Sequence, residues 1–217
     1  LIGQELMAQM FLKQKEELDK NIRNVFYSSE KKLFKNVANT EEYTQHTAVW
    51  AVLSEIVTGD EAKELLKRSM SLKKCSFAMK YYLFRALEKT GLYEYADNLL
   101  DDWRAMVDKN CTTWCESEAY PRSECHGWSN LPAYELTRCV LGVKPRAIGF
   151  SEIEVSPFAG NLTFAKGKVP TPVGDVKVAW EAEDEFLNIS VSVPLGVTAY
   201  VGNTVIKDSK TIKILRK

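Results

Sequence analysis

Leu131-Pro132-Ala133-Tyr134-Glu135-Leu136-Thr137-Arg138-Cys139-Val140-Leu141-Gly142-Val143-Lys144-Pro145 is the stretch over which this chain changes its periodicity. The spacing predicts a last helix over 131–141, with Pro132 tolerated near its first turn, Gly142 just past its end and Pro145 blocking continuation. Before it the apolar residues recur at helical spacing, and after it they alternate with period two. The fold class read from this switch is α+β and multidomain: helical hairpins over 1–145, then a small antiparallel β-sandwich-like domain over 146–217.

Toward the N-terminus the helical reading is consistent. Ile2, Leu6, Met10, Leu18, Ile22, Val25 and Phe26 share one face, with Lys13, Lys15, Glu16 and Lys20 off it. Ala48 to Leu53, with Ile56 and Val57, is apolar almost all round and predicts a helix buried on every side and stopped by Gly59. Asp60-Glu61 then opens the next helix with negative charge at its positive end. Phe77 to Leu87 forms another apolar helix, stopped at Gly91, and Tyr95 to Val107 a following one. Thr58-Gly59 and Thr90-Gly91 each lie between an apolar helix and a more amphipathic one, a weak repeat that predicts successive antiparallel hairpins.

Toward the C-terminus six strands are predicted. Leu187, Ile189, Val191 and Val193 alternate with Asn188, Ser190 and Ser192, and Val176, Val178 and Trp180 do the same. Ile153 with Val155, Leu162 with Phe164, Val197 with Ala199 and Val201, and Ile212 with Ile214 complete the set. So small a unit has a marginal core and is expected to pack on the helices.

Composition excludes several classes. The 217 residues carry 29 basic and 29 acidic side chains, which removes the electrostatic footprint of a nucleic-acid binder. No apolar run is long enough to span a membrane. The chain opens at Leu1 inside an amphipathic pattern with no initiator Met, as a cut piece of a longer protein would. Cys75, Cys111, Cys115, Cys125 and Cys139 are an odd set, so most are expected to be reduced.

The chemistry is concentrated in 109–130, a connection too long to be a simple turn and too aromatic to be disordered. It gathers Glu116, Glu118, Glu124, Arg122, His126, Trp114, Tyr120 and Trp128. Carbohydrate sites use these types: carboxylates for proton transfer, indole faces against sugar C–H surfaces, and donors for hydroxyls. Cys111, Cys115, Cys125 and His126 lack the paired knuckle spacing of structural zinc, so neither metal nor cofactor is expected. A cysteine nucleophile backed by His126 is the weakest reading of the segment.

Thr112-Thr113-Trp114-Cys115-Glu116 and Arg122-Ser123-Glu124-Cys125-His126-Gly127-Trp128-Ser129 together resemble the late active-site segment of bacterial α-L-rhamnosidases, glycoside hydrolase family 78. Leu141 to Pro145, Gly149-Phe150, Ile153 to Pro157, Thr171-Pro172-Val173-Gly174 and Val178-Ala179-Trp180 are similar to that family's passage into its C-terminal β-domain. The resemblance implies that 1–145 is part of an (α/α)₆ toroid whose remainder lies upstream. It implies inverting removal of terminal α-L-rhamnosyl residues from a glycoside or polysaccharide, with Glu116 as general base. It also implies sugar contacts from His126, Trp114 and Trp128. His46 precedes a buried helix where inner helices of such barrels meet the cavity. The family's general acid lies in an upstream Asp-x-x-x-Arg-Asp-Glu type of motif, which does not occur in 1–217, so this chain alone is expected to be inactive.

Plainer readings stand beside these. Glu116 reads otherwise as a solvated loop carboxylate, with Glu124 the runner-up base and Glu118 surface charge. His126 and His46 read otherwise as structural histidines, and both indoles as loop core. At the level of function the alternatives are a non-catalytic carbohydrate-binding or structural module, or another six-hairpin sugar enzyme such as a glycoside phosphorylase or unsaturated-uronyl hydrolase.

Overall fold

The computed structural model describes residues 3–117 and 122–216. Ile2, Glu118 and Tyr120, singled out above, lie outside the described residues. The chain is α+β and forms two compact units, one of 1–99 with 115–124 and the other of 100–114 with 125–217.

The first unit is helical. Its helices are α1 (Glu5–Phe26), α2 (Gln45–Leu53), α3 (Gly59–Ser69), α4 (Phe77–Thr90) and the single turn α5 (Ala96–Leu99). A short β1–β2 hairpin (Tyr27–Ser28, Leu33–Phe34) lies between α1 and α2. The core comes from Val49 and Val52 of α2, Ala62, Leu65 and Leu66 of α3, and Leu83, Ala86 and Leu87 of α4, with Leu33 and Phe34 of the hairpin. Ser76 caps α4 by accepting from the Met79 amide, and Gly91 ends it in the left-handed conformation at φ 72°.

Three helical expectations are corrected here. α2 is not buried on every side: Gln45, Ala48, Val49, Ala51 and Val52 are buried, while Trp50 is 46% exposed. Gly59 does not stop α2: the helix ends at Leu53, where the Ser54 hydroxyl donates to the Trp50 carbonyl at 2.6 Å and Glu55 turns the chain at φ 66°. Gly59 is instead the first residue of α3, so Thr58-Gly59 opens a helix where Thr90-Gly91 closes one. The segment 95–107 is likewise not one helix, being divided at Leu100.

The second unit holds α6 (Asp101–Asp108), α7 (Leu131–Glu135), which continues as a π-helical turn over Leu136–Val140, and eight strands. These are β3 (Val143–Pro145), β4 (Glu152–Val155), β5 (Phe164–Thr171), β6 (Gly174–Glu183), β7 (Phe186–Ser192), β8 (Thr198–Val201), β9 (Thr204–Ile206) and β10 (Ser209–Leu215). One sheet has the order β10-β7-β6-β5 and is antiparallel throughout. The other has the order β3-β4-β8-β9, with β4 and β8 parallel. Leu187, Ile189 and Val191 are buried while Ser190 is exposed, as their alternation requires. These residues share one core with Val176, Val178, Trp180, Ile153, Val155, Ala199 and Val201, so both sheets bury their apolar faces in the same place. The Trp180 indole donates to the Val140 carbonyl at 2.8 Å and ties β6 to the end of the helical stretch. β3 and β9 were not expected. They are only 3 residues each, too short for alternation to register.

Candidate functional site

Glu116 lies in the first unit, in the chain between α6 and α7. Its side chain is 20% exposed and accepts from Arg122 through both carboxylate oxygens, Nε at 3.1 Å and the second guanidinium nitrogen closer still. The Glu116 amide donates to the Ser123 carbonyl at 2.9 Å, which brings Arg122 beside Glu116. The carboxylate beside Arg122 raises the pKa of that guanidinium, and the pairing holds it in its charged form. A bidentate guanidinium fixes the plane of a carboxylate. Arg122 is itself solvent-exposed, so its release disturbs no core.

His46 belongs to the same unit, as the second residue of α2. It follows Gln45, whose buried side chain accepts from the Cys75 amide at 2.8 Å. Burial, and secondarily the Lys73 charge, lower the pKa of His46 and favour its neutral imidazole.

The second unit holds Trp114, His126 and Trp128. The His126 amide donates to the Trp114 carbonyl at 2.8 Å, and the Trp114 indole donates to Asn130 Oδ1 at 3.0 Å. His126 and Trp128 meet edge to face, ring centroids 5.4 Å apart. Trp128 is 75% exposed, while His126 Nε2 is buried with no hydrogen-bond partner among the described residues. Behind them the buried Trp103 donates to the Ser129 carbonyl at 2.7 Å and anchors the short helical turn Gly127–Ser129 to α6. The structure therefore joins these three predicted contacts into one cluster and pairs Glu116 with Arg122. Sequence reasoning counted Arg122 only among the loop's hydrogen-bond donors, without a partner, and assigned no role to Asn130 or Trp103. Their partners lie 6, 16 and 26 positions away, separations that carry no periodic signal. The five cysteines are free thiols.

An exposed indole beside an imidazole is a surface that can stack on a sugar ring and donate to its hydroxyls. Residues 142–211 match the family described as bacterial alpha-L-rhamnosidase C-terminal domain. An α-L-rhamnosidase of Alteromonas sp. is 41% identical over 61 residues, covering 28% of this chain and 7% of that protein. The α-L-rhamnosidase of Formosa agariphila is 25% identical over 214 residues, covering 86% of this chain and 22% of its own length. The crystal structure of the family 78 rhamnosidase of Bacillus sp. GL1 superposes with a TM-score of 0.77 at 25% identity, covering 90% of this chain and 23% of that one. The chain resembles the C-terminal portion of an α-L-rhamnosidase. It spans less than a quarter of the length of these rhamnosidases. The family match begins at Gly142, where the rhamnosidase-like strands replace the helices.

Proposed function

We propose that this chain is part of an inverting glycoside hydrolase that removes terminal α-L-rhamnosyl residues from a glycoside or polysaccharide. Residues 1–145 supply later hairpins of an (α/α)₆ catalytic domain, and residues 146–217 its C-terminal β-sandwich domain. The observation that carries this reading is the match to the Formosa agariphila α-L-rhamnosidase, whose 86% coverage takes in both helices and strands. The single core shared by the two sheets supports the sandwich, and the solvent-facing Trp50 supports an inner helix made to be covered by further hairpins.

In this mechanism Glu116 is the general base. It takes a proton from the water that attacks the anomeric carbon, while an acid on the rest of the barrel protonates the leaving oxygen. Arg122 holds the carboxylate in orientation. Trp128 and Trp114 wall the sugar, and His126 and His46 hydrogen-bond its hydroxyls.

In the complete enzyme Glu116→Gln keeps shape and hydrogen bonding but removes the base, and is expected to lower kcat by ~10²–10⁴-fold with little change in KM. Near-normal turnover in that variant would move the role to Glu124 or off this chain. Purified 1–217 is expected to release nothing from an aryl α-L-rhamnoside, because inversion needs two carboxyl groups roughly 6.5–9.5 Å apart across the sugar. Sustained release that disappears in Glu116→Gln would mean that both carboxyl groups are already here. The Glu116–Arg122 ion pair favours one second reading, a carbohydrate-binding loop that the pair merely staples. Under it Glu116→Gln would lower the melting temperature and leave turnover of the complete enzyme intact.

A further inference from the structure

The outward face of the β10-β7-β6-β5 sheet is divided by charge. At one end Glu183 accepts from Asn188 and from Lys213, each at 3.0 Å, and Glu181 shares the same face. At the other end two rows cross the sheet. One runs Lys168, Lys177, Ser192, Ser209 through directly paired positions. The next runs Lys166, Ala179, Ser190, Thr211. All of these except Thr211 line an open depression of about 370 Å³, together with Gly167, Val178 and Val191 of the strands between them. Its surface is mostly carbon, from Ala179, the strand backbone and the stems of Lys166, Lys168 and Lys177, with the serine hydroxyls among them. Like charges directly opposed on neighbouring strands, as Lys168 and Lys177 are, destabilise a sheet. Asp175 approaches Lys168 only to 3.8 Å, and Lys166 and Lys177 have no carboxylate partner among the described residues.

We propose that this depression binds an acidic segment of a polysaccharide, a run of sugar units carrying carboxylate or sulfate groups. The three ammonium groups meet the anions, the serine hydroxyls exchange hydrogen bonds with sugar hydroxyls, and the lysine stems lie against C–H surfaces. A chain of zero net charge has no general attraction for polyanions, so the attraction is local to this face. The choice of a glycan as occupant rests on the glycosidase reading. The site itself uses neither Glu116 nor the loop that carries it.

Affinity electrophoresis of purified 1–217 tests the proposal, in native gels containing polygalacturonate or neutral dextran. Retardation is expected with polygalacturonate alone. Lys168→Ser with Lys177→Ser should weaken it about tenfold or more, since a charge-assisted hydrogen bond is lost at each site. Lys168→Arg with Lys177→Arg should retain it, and Lys213→Ser at the end carrying Glu183 should change it less than about twofold. The serine double variant should melt no lower than the parent, because it relieves a like-charge pair. Equal loss in Lys213→Ser, no retardation, or equal retardation by duplex DNA would overturn the proposal. Glu116→Gln should leave retardation unchanged, so failure of the catalytic assignment and failure of this one are separately visible.

Discussion

At the scale of single residues, His46 offers a measurement independent of catalysis. Burial lowers its pKa from the ordinary 6.5, so the unfolded chain binds the proton more readily than the folded one. The resulting stability is fully present above pH ~6.5 and is lost as pH falls through the lowered folded value. His46→Gln cannot titrate, and its melting temperature should fall less between pH 7 and pH 5 than that of the parent. Parallel pH profiles would show that His46 is not the group responsible. Glu116 illustrates how far a residue can be read from sequence. Its motif marked it as the first carboxylate to watch, but its partner Arg122 is set by the backbone hydrogen bond from Glu116 to Ser123. Nothing in residue types or spacing encodes that pairing.

At the scale of elements, two glycines with left-handed backbone separate local from tertiary constraint. Gly91 ends α4 at φ 72°, and a Cβ there would meet nothing within 4 Å. Gly91→Ala should therefore lose only the conformational term, about 1 kcal/mol. Gly142 has φ 80°, and a Cβ there would stand 2.3 Å from the Pro157 nitrogen and 2.4 Å from the Ser156 carbonyl carbon. Both are backbone atoms on the strand side of the junction, fixed by the Ser156 amide donating to the Gly142 carbonyl at 2.9 Å. Gly142→Ala should lose about 2–4 kcal/mol, strain plus overpacking, and denaturant melts of the two variants would rank them. Equal losses would mean that the backbone at 142 relaxes freely. Both glycines were legible as helix stops, because that role depends on local dihedral preference. The close approach at 142 was not, because Pro157 is fifteen positions away.

At the scale of the whole molecule, the apolar surface left uncovered on the helical unit is the property to test. Trp50 and Tyr82 pack as a tilted pair with centroids 4.7 Å apart while remaining 46% and 37% exposed. Helix α1 buries none of its residues and turns Leu6, Met10 and Phe11 to solvent. Such patches drive association. Sedimentation velocity of 1–217 should show concentration-dependent self-association, reduced when Leu6 and Phe11 are replaced by Ser. A strictly monomeric parent would show that these patches are not adhesive. The sequence alone determined the change from helices to strands at 131–145, the burial pattern of 187–193, and the motif pair around Glu116 and His126. Each follows from a local period or a contiguous run of residue types. Only the tertiary structure decided that Trp50 faces outward, that Gly59 opens α3, that Arg122 holds Glu116, and that three lysines line one end of a sheet. Those outcomes depend on which distant segment covers a surface or pairs in register, and hydrophobic burial rewards coverage without naming in advance the segment that provides it.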